Sequence, residues 1–181
     1  FNMVTFDNVR VPKKNLVGEQ NRGWYVGATL LDFERSGVDY SAGGRRVLEE
    51  LIAYAKDNDQ NGSLIADNPI MRNRLADLAI EVDVSRLISY NIAWMQGEGL
   101  VPNKESSMGK VVGTELQQHL SETGMQMLGL HGQLEPGSKY APMQGRIEHM
   151  HLTNVSETIQ AGTSEIQRNI IATRGLGLPR G

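Results

Sequence analysis

The sequence predicts a mainly α protein, an antiparallel up-and-down four-helix bundle preceded by a short β segment. Three observations predict it. After Gly18 apolar residues recur at three- and four-residue steps over long stretches, turn-rich segments divide those stretches, and only residues 1–17 alternate with a period of two.

In residues 1–17, "FNMVTFDNVRVP" puts Phe1, Met3, Val9 and Val11 at alternate positions, interrupted by Asp7-Asn8 and stopped by Pro12. This reads as two short extended segments. A lone hairpin is marginal in water, so they require a sheet that the rest of the chain does not supply. The first helix is expected from about Gly23 to Asp57, on Trp24, Ala28, Leu31, Val47, Leu51 and Tyr54. It would run roughly 50 Å, with Gly43-Gly44 admitting a close neighbour or a bend. "DNDQNGSLIADNP" is a loop. A second helix follows Asn68-Pro69 to about Met95, where proline suits the first turn, and carries Leu75, Leu78, Ala79, Val82, Leu87 and Trp94. A third covers about Glu105 to Leu128 with Val112, Leu116, Leu120 and Met127 on one stripe. Two further segments fall near Ala141–Asn154 and Thr163–Thr173. Long amphipathic helices joined by short loops define the antiparallel bundle.

Composition narrows the function classes. The 181 residues suffice to bury a core, and 39% hydrophobic with 22% charged residues is ordinary for a globular chain. A net charge of −3 gives no general attraction to nucleic acid or an anionic membrane. The longest basic clusters, Lys13-Lys14 and Arg45-Arg46, are too short for an electrostatic footprint. The absence of cysteine excludes disulfides, thiolate metal sites and thiol catalysis, and fits the cytoplasm. No run approaches the ~20 apolar residues that cross a bilayer. Phe1-Asn2-Met3 reads like mid-domain sequence.

Three ordered stretches then carry a resemblance: "VTFDNVRVPKKNLVGEQNRGWYVGATLLDFER" (Val4–Arg35), "QMLGLHG" (Gln126–Gly132) and "IQAGTSEIQRNIIATR" (Ile159–Arg174). Together they resemble the C-terminal half of acyl-CoA dehydrogenases across essentially the whole chain. The resemblance implies that residues 1–17 end the family's middle β-domain and residues 18–181 form its C-terminal helical bundle. It also implies FAD, an acyl-CoA thioester oxidised to the α,β-enoyl form, and an electron-transfer flavoprotein as acceptor. The family's chemistry needs a carboxylate that removes the α-proton while flavin accepts hydride from the β-carbon.

The family places that glutamate either in the loop before the last helix, as in "YEGT", or in the first bundle helix, as in "LDLER". Here the loop reads Gln160-Ala161-Gly162-Thr163, and alanine cannot take a proton; the helix reads Leu31-Asp32-Phe33-Glu34-Arg35. By resemblance Glu34 is the catalytic base, Asp32 and Arg35 lie near the CoA part of the substrate, and Gly162, Thr163 and Glu165 contact the flavin of the same subunit. The residues alone also allow Glu34 to be a solvated face residue, Asp32 and Arg35 a helix ion pair, and Thr163 an N-cap.

In such enzymes a neighbouring subunit helps hold the flavin, through a loop like "ReQFG" and a segment like "QxxGGxG". The second segment keeps Gln126 and Gly129, both implied in cofactor binding, but Leu130 replaces its second glycine. In the first, Asn58 stands at the diphosphate-binding arginine and Asn61 at the aromatic, with Asp57 and Asp59 nearby. Losing a bidentate cation opposite a diphosphate disfavours anion binding. A homotetramer would weaken every flavin site at once, whereas a paralogous subunit can supply the missing arginine. The expectation is a base-bearing subunit of a heterotetramer, close to actinobacterial subunits acting on steroid side-chain or other acyl-CoA thioesters. Without the flavin-cradling β-domain, the 181-residue chain alone is expected to be inactive.

Two other readings stand beside it. If Glu34 faces solvent, the chain is a non-catalytic assembly subunit. A di-iron carboxylate bundle would use Glu148-x-x-His151 with Glu34, Glu81 and Glu115, but it needs two such pairs, and His119 is four residues from Glu115. No metal site is therefore expected. Met125, Met127, Met143 and Met150 read as core filler rather than substrate lining.

Overall fold

The computed structural model describes residues 2–34, 36–60 and 62–179. Its helices are α1 (Gly23–Glu34), α2 (Val38–Asp57), α3 (Pro69–Gly97), α4 (Asn103–Leu128), α5 (Arg146–Glu157) and α6 (Ser164–Ile170), the last running into a π-turn at Ile171–Gly175. Helix α4 is the central member and touches α2, α3, α5 and α6.

The single long first helix expected from the sequence is two helices. The break falls at Ser36-Gly37, where Gly37 has φ 73°, a left-handed backbone that side chains disfavour. Gly44 serves packing instead of a bend: an added Cβ would lie 3.2 Å from Leu116 and 3.3 Å from Leu120 of α4. The segment expected near 141–154 starts its α-helix only at Arg146, because Met143, Gln144 and Gly145 are all left-handed. Gly145 is required there, since a Cβ would come within 2.5 Å of the Pro136 nitrogen.

The loop after α2 holds a two-residue hairpin, β1 (Asp59–Gln60) antiparallel to β2 (Ser63–Leu64), which pairs Asp59 with Leu64 and Gln60 with Ser63. Asn68 caps α3 as its spelling predicts, accepting from the Ile70 and Met71 amides with Pro69 in the first turn. Residues 2–12 form no strand pairing, and Met3 and Phe6 are 92% and 81% exposed.

The core joins Val47, Leu48, Leu51 and Ala55 of α2, Met71, Leu75, Leu78 and Val82 of α3, Leu116, Leu120, Met127 and Leu128 of α4, and Ile147 of α5. Each fully buried leucine contributes on the order of 2 kcal/mol of transfer free energy. Met127 is buried, and Met125, Met143 and Met150 pack against the core, as filler does.

Helix α3 departs from the apolar stripe read from sequence. Its buried residues are Met71, Leu75, Leu78, Val82, Ser85, Ser89 and Ile92, a regular four-three alternation. Ser89 lies beside the α1–α2 corner, where a Cβ added at Gly37 would stand 3.6 Å from its Oγ, and its hydroxyl donates to the Ser85 carbonyl at 3.0 Å. Leu87 and Trp94 fall on another face, with Ile80 and Val84, and are exposed.

Candidate functional site

Two corners of the bundle carry the positions that the resemblance assigns to a base, Glu34 and Ala161. At the first, Glu34 is the last residue of α1 and exposed, and its carbonyl accepts from the Ser36 amide at 2.9 Å. Gln96 Nε2 at the end of α3 donates to the Phe33 carbonyl at 3.1 Å, so α3 holds the end of α1. Asp32 lies on the last turn of α1; its side chain and the whole of Arg35 lie outside the described residues.

The second corner is the loop between α5 and α6. Ala161 (φ 54°) and Gly162 (φ 92°) turn the chain in left-handed conformations. The fully buried Gln167 donates from Nε2 to both of their carbonyls at 3.3 Å. Thr163 is the N-cap of α6: its oxygen accepts from the Ile166 amide at 3.3 Å, while its hydroxyl donates to the Glu165 carboxylate. That carboxylate is held below the usual range, first by the hydrogen bond from its own backbone amide and then by Thr163, with Arg168 and Lys110 adding their charge. The cap reading of Thr163 is thus present, and both functions of its hydroxyl are engaged.

Between the corners lies a cleft of about 420 Å³ lined by Asp39, Tyr40, Gln117, Asn154, Glu157 and Gln160. The Tyr40 ring lies against the α4 backbone at Gly113, where a Cβ would come within 2.5 Å of Tyr40 Cδ2. Its hydroxyl donates to Glu157. Burial first, then the charges of Glu157 and Asp39 and more weakly Glu34, push the Tyr40 hydroxyl up to about 12. Gln117 donates to the Tyr40 carbonyl at 3.0 Å, and Asn154 to the Gln117 carbonyl at 2.8 Å.

The segments expected to face a neighbour's flavin also meet. Gln60 Nε2 lies 3.9 Å from where a Gly129 Cβ would stand, and Gln126 and Leu130 are exposed beside them. Gly129 (φ 58°, ψ −138°) uses a conformation reserved for glycine. Asn58 is turned inward, donating to the Tyr54 carbonyl at 3.0 Å at the end of α2. In the adjoining cleft Arg46 and Arg146 both pair with Glu50, between Asp57 and Asn58. Asn61 lies outside the described residues. This face disfavours a diphosphate, because the one carboxylate of Glu50 engages both arginines and Asp57 and Asp59 add further negative charge. The corner at residues 161–165 offers turn backbone, the engaged hydroxyl of Thr163 and the buried hydroxyl of Ser164, which has no hydrogen-bond partner among the described residues.

The carboxylates of the di-iron alternative do not converge. Glu81 pairs with His119 at 2.8 Å and Glu115 with Arg168 at 2.8 Å, and no group of three or more metal-ligating side chains occurs among the described residues. No helix among them is long and apolar enough to cross a membrane.

This is a helical bundle of the kind that forms the C-terminal domain of a larger fold family. The profile described as "Acyl-CoA dehydrogenase, C-terminal domain" matches residues 21–176, and the chain belongs to the acyl-CoA dehydrogenase family. Acyl-CoA dehydrogenase FadE26 of Mycobacterium tuberculosis is 34% identical over 180 residues, 97% of this chain and 45% of that protein. The mouse mitochondrial short-chain specific acyl-CoA dehydrogenase is 29% identical over 92% of this chain and 39% of its own length. Among solved structures, the ChsE4-ChsE5 complex from Mycobacterium tuberculosis superimposes with a TM-score of 0.85 at 34% identity, over 97% of this chain and 46% of that one. The Tcur3481-Tcur3483 steroid ACAD superimposes with a TM-score of 0.84 at 30% identity, over 97% of this chain and 45% of that one. The chain spans less than half the length of these relatives.

The sequence reading missed the polar cleft. Its residues come from three regions far apart in the chain, and neither periodicity nor motif joins them. One local signal existed: Tyr40 follows Glu34 by six residues.

Proposed function

We propose that this chain is the C-terminal, base-bearing part of an FAD-dependent acyl-CoA dehydrogenase subunit, working in a heteromeric assembly with a paralogue. Glu34 removes the α-proton of the acyl-CoA thioester, and FAD held by the full-length subunit would supply the acceptor for the hydride from the β-carbon. The observation that supports this most is the pair of corners: the α5–α6 loop keeps its architecture around an alanine, while Glu34 ends a helix at the only other base position the family uses. Asp32 and Arg35 hold the CoA side of the substrate, and Gly162, Thr163 and Glu165 border the flavin of their own subunit. Gln126 and Gly129 face the neighbour's flavin. The inward Asn58 and the protruding Leu130 favour a partner that supplies its own arginine, as do relatives solved as two-component complexes. Residues 1–17 close the β-domain and residues 18–181 form the bundle. Electrons leave to an electron-transfer flavoprotein, and the assembly works in the cytoplasm.

The exposure of Glu34 favours a second reading, a subunit that shapes a partner's pocket without reacting. A water-shielded carboxylate makes the better base, so the remainder of the assembly must cover this corner. The test is to purify the full-length protein alone and with its paralogue, then measure flavin stoichiometry and dehydrogenation. One FAD per two chains only in the mixed assembly, with turnover lost in Glu34→Gln, is the expected result. Full flavin occupancy of the protein alone would overturn the heteromer, and unchanged turnover in Glu34→Gln would leave the non-catalytic reading.

A further inference from the structure

The stripe that α3 turns to the bundle continues past its last buried residue. Met71, Leu75, Leu78, Val82, Ser85, Ser89 and Ile92 follow one another at steps of four and three, and the next step of four is Gln96. The stripe therefore runs from apolar residues to two serines and ends, beyond Ile92, in an amide. Its apolar end joins the core, whereas its far end faces the turn between α1 and α2. A Cβ added at Gly37 would stand 3.6 Å from Ser89 Oγ and 3.7 Å from the Gly109 carbonyl oxygen, so that turn is seated between α3 and α4. Gln96 reaches α1 itself, donating from Nε2 to the Phe33 carbonyl at 3.1 Å.

Helix α1 needs such a hold. None of its described residues is buried, and Trp24, Tyr25, Leu30 and Phe33 are exposed. Its 12 residues stand at the lower limit of roughly 12–15 for a helix without tertiary support. Gly23, Val26, Gly27 and Thr29 are also weak helix formers. The last carbonyls of a helix have no partner within it, and Phe33 belongs to that last turn. The Gln96 amide therefore caps α1 from another helix. Its bond falls on the peptide that joins Phe33 to Glu34, and so fixes the plane from which the Glu34 side chain departs.

Gln96 is held in its turn. Helix α3 closes in a Schellman turn: the Gly99 amide donates to the Gln96 carbonyl at 3.1 Å and the Leu100 amide to the Met95 carbonyl at 2.9 Å, with Gly99 at φ 73°. One turn earlier Ile92 is fully buried. The backbone that carries the amide is thus anchored on both sides.

We propose that Gln96 is a positioning residue for the Glu34 carboxylate, holding the end of α1 where the base meets its substrate. This rests on the function proposed above. A base acts only within hydrogen-bond reach of the proton it takes, and a displacement of about 1 Å costs on the order of 10²-fold. Gln96 acts through the backbone before Glu34 and takes no part in the proton transfer.

The experiment uses the full-length assembled enzyme, with octanoyl-CoA and its 2,2-dideuterated form as probes. Gln96→Met keeps the length of the side chain and removes the donor. Gln96→Glu keeps its shape, and an ionised carboxylate has no proton to give. Each variant should lower kcat about tenfold, with KM and flavin content within about twofold of the wild type. The deuterium isotope effect on kcat should rise, because proton removal becomes the slow step. Amide exchange in the last turn of α1 should quicken about tenfold or more, with α2 and α4 unchanged. The cycle with Glu34→Gln separates positioning from a general structural role. Adding Gln96→Met to that variant should slow turnover no more than about twofold, since no base is left to aim. Equal losses in both backgrounds, unchanged turnover in both Gln96 variants, or unchanged exchange would overturn the inference. Undiminished turnover in Glu34→Gln would strike the catalytic reading and the inference with it. Loss in Glu34→Gln without loss in Gln96→Met would strike the positioning alone. If the wild type does not oxidise octanoyl-CoA, the exchange result decides whether Gln96 holds the corner.

Discussion

The α1–α2 corner and the α5–α6 loop solve the same geometrical problem with opposite chemistry. Both turn the chain through left-handed residues, Gly37 in one and Ala161-Gly162 in the other, and both are held by a glutamine side chain that donates to backbone carbonyls. The loop is the more self-contained: Gln167 is fully buried, and Thr163 caps the helix that follows. Yet the loop presents a methyl group where the corner presents the Glu34 carboxylate. If the proposed function holds, the support of a base position and its reacting group are separable, because a turn of the same kind carries a methyl group in one place and a carboxylate in the other.

Moving the base between the two places should give the largest effect. In the full-length assembly Glu34→Gln should lower kcat by roughly 10²–10⁴-fold, the usual worth of a positioned base. Adding Ala161→Glu to that variant should recover at least tenfold, read by steady-state turnover with an artificial electron acceptor. No recovery would mean that the loop has lost its aim as well as its carboxylate.

Breaking the loop's own support comes next. Gln167→Leu removes the two hydrogen bonds to the Ala161 and Gly162 carbonyls and should cost about 1–3 kcal/mol, seen in urea unfolding of the full-length protein. Thr163→Ala should cost about 1 kcal/mol through loss of the cap. It should also alter the acid limb of stability. The Glu165 carboxyl lies below its ordinary 4.5 in the folded protein, so its contribution is present above that pH and is lost as pH falls. The alanine variant, lacking the Thr163 hydrogen bond, should lose less stability on acidification than the wild type.

The smallest effect belongs to the first corner. Tyr40 is raised from 10.0 to about 12, so the folded state keeps a proton that the unfolded chain releases. Its contribution is complete below pH 10 and is lost as pH rises towards 12. Tyr40→Phe should flatten that alkaline loss in a melting series, and a curve identical to the wild type would remove the burial argument for the Tyr40 hydroxyl.

Local spelling was enough wherever an interaction spans a few residues. Asn68-Pro69 announces the start of α3, Thr163 the cap of α6, and the Gly44 side of α2 its close approach to α4. Tertiary structure decided what depends on distant partners. Helix α3 buries Ser85 and Ser89 while Leu87 and Trp94 stay outside, because the face it turns to the bundle is set by the helices it packs against and not by where its apolar residues fall. The first helix breaks at Ser36-Gly37, where a left-handed glycine turns the chain and Gln96 from α3 holds the end of α1. The polar cleft exists only because Tyr40 finds Gly113 and Glu157, residues far along the chain on α4 and α5. Caps and turns are set by neighbours in sequence, whereas burial and pocket chemistry are set by neighbours in space.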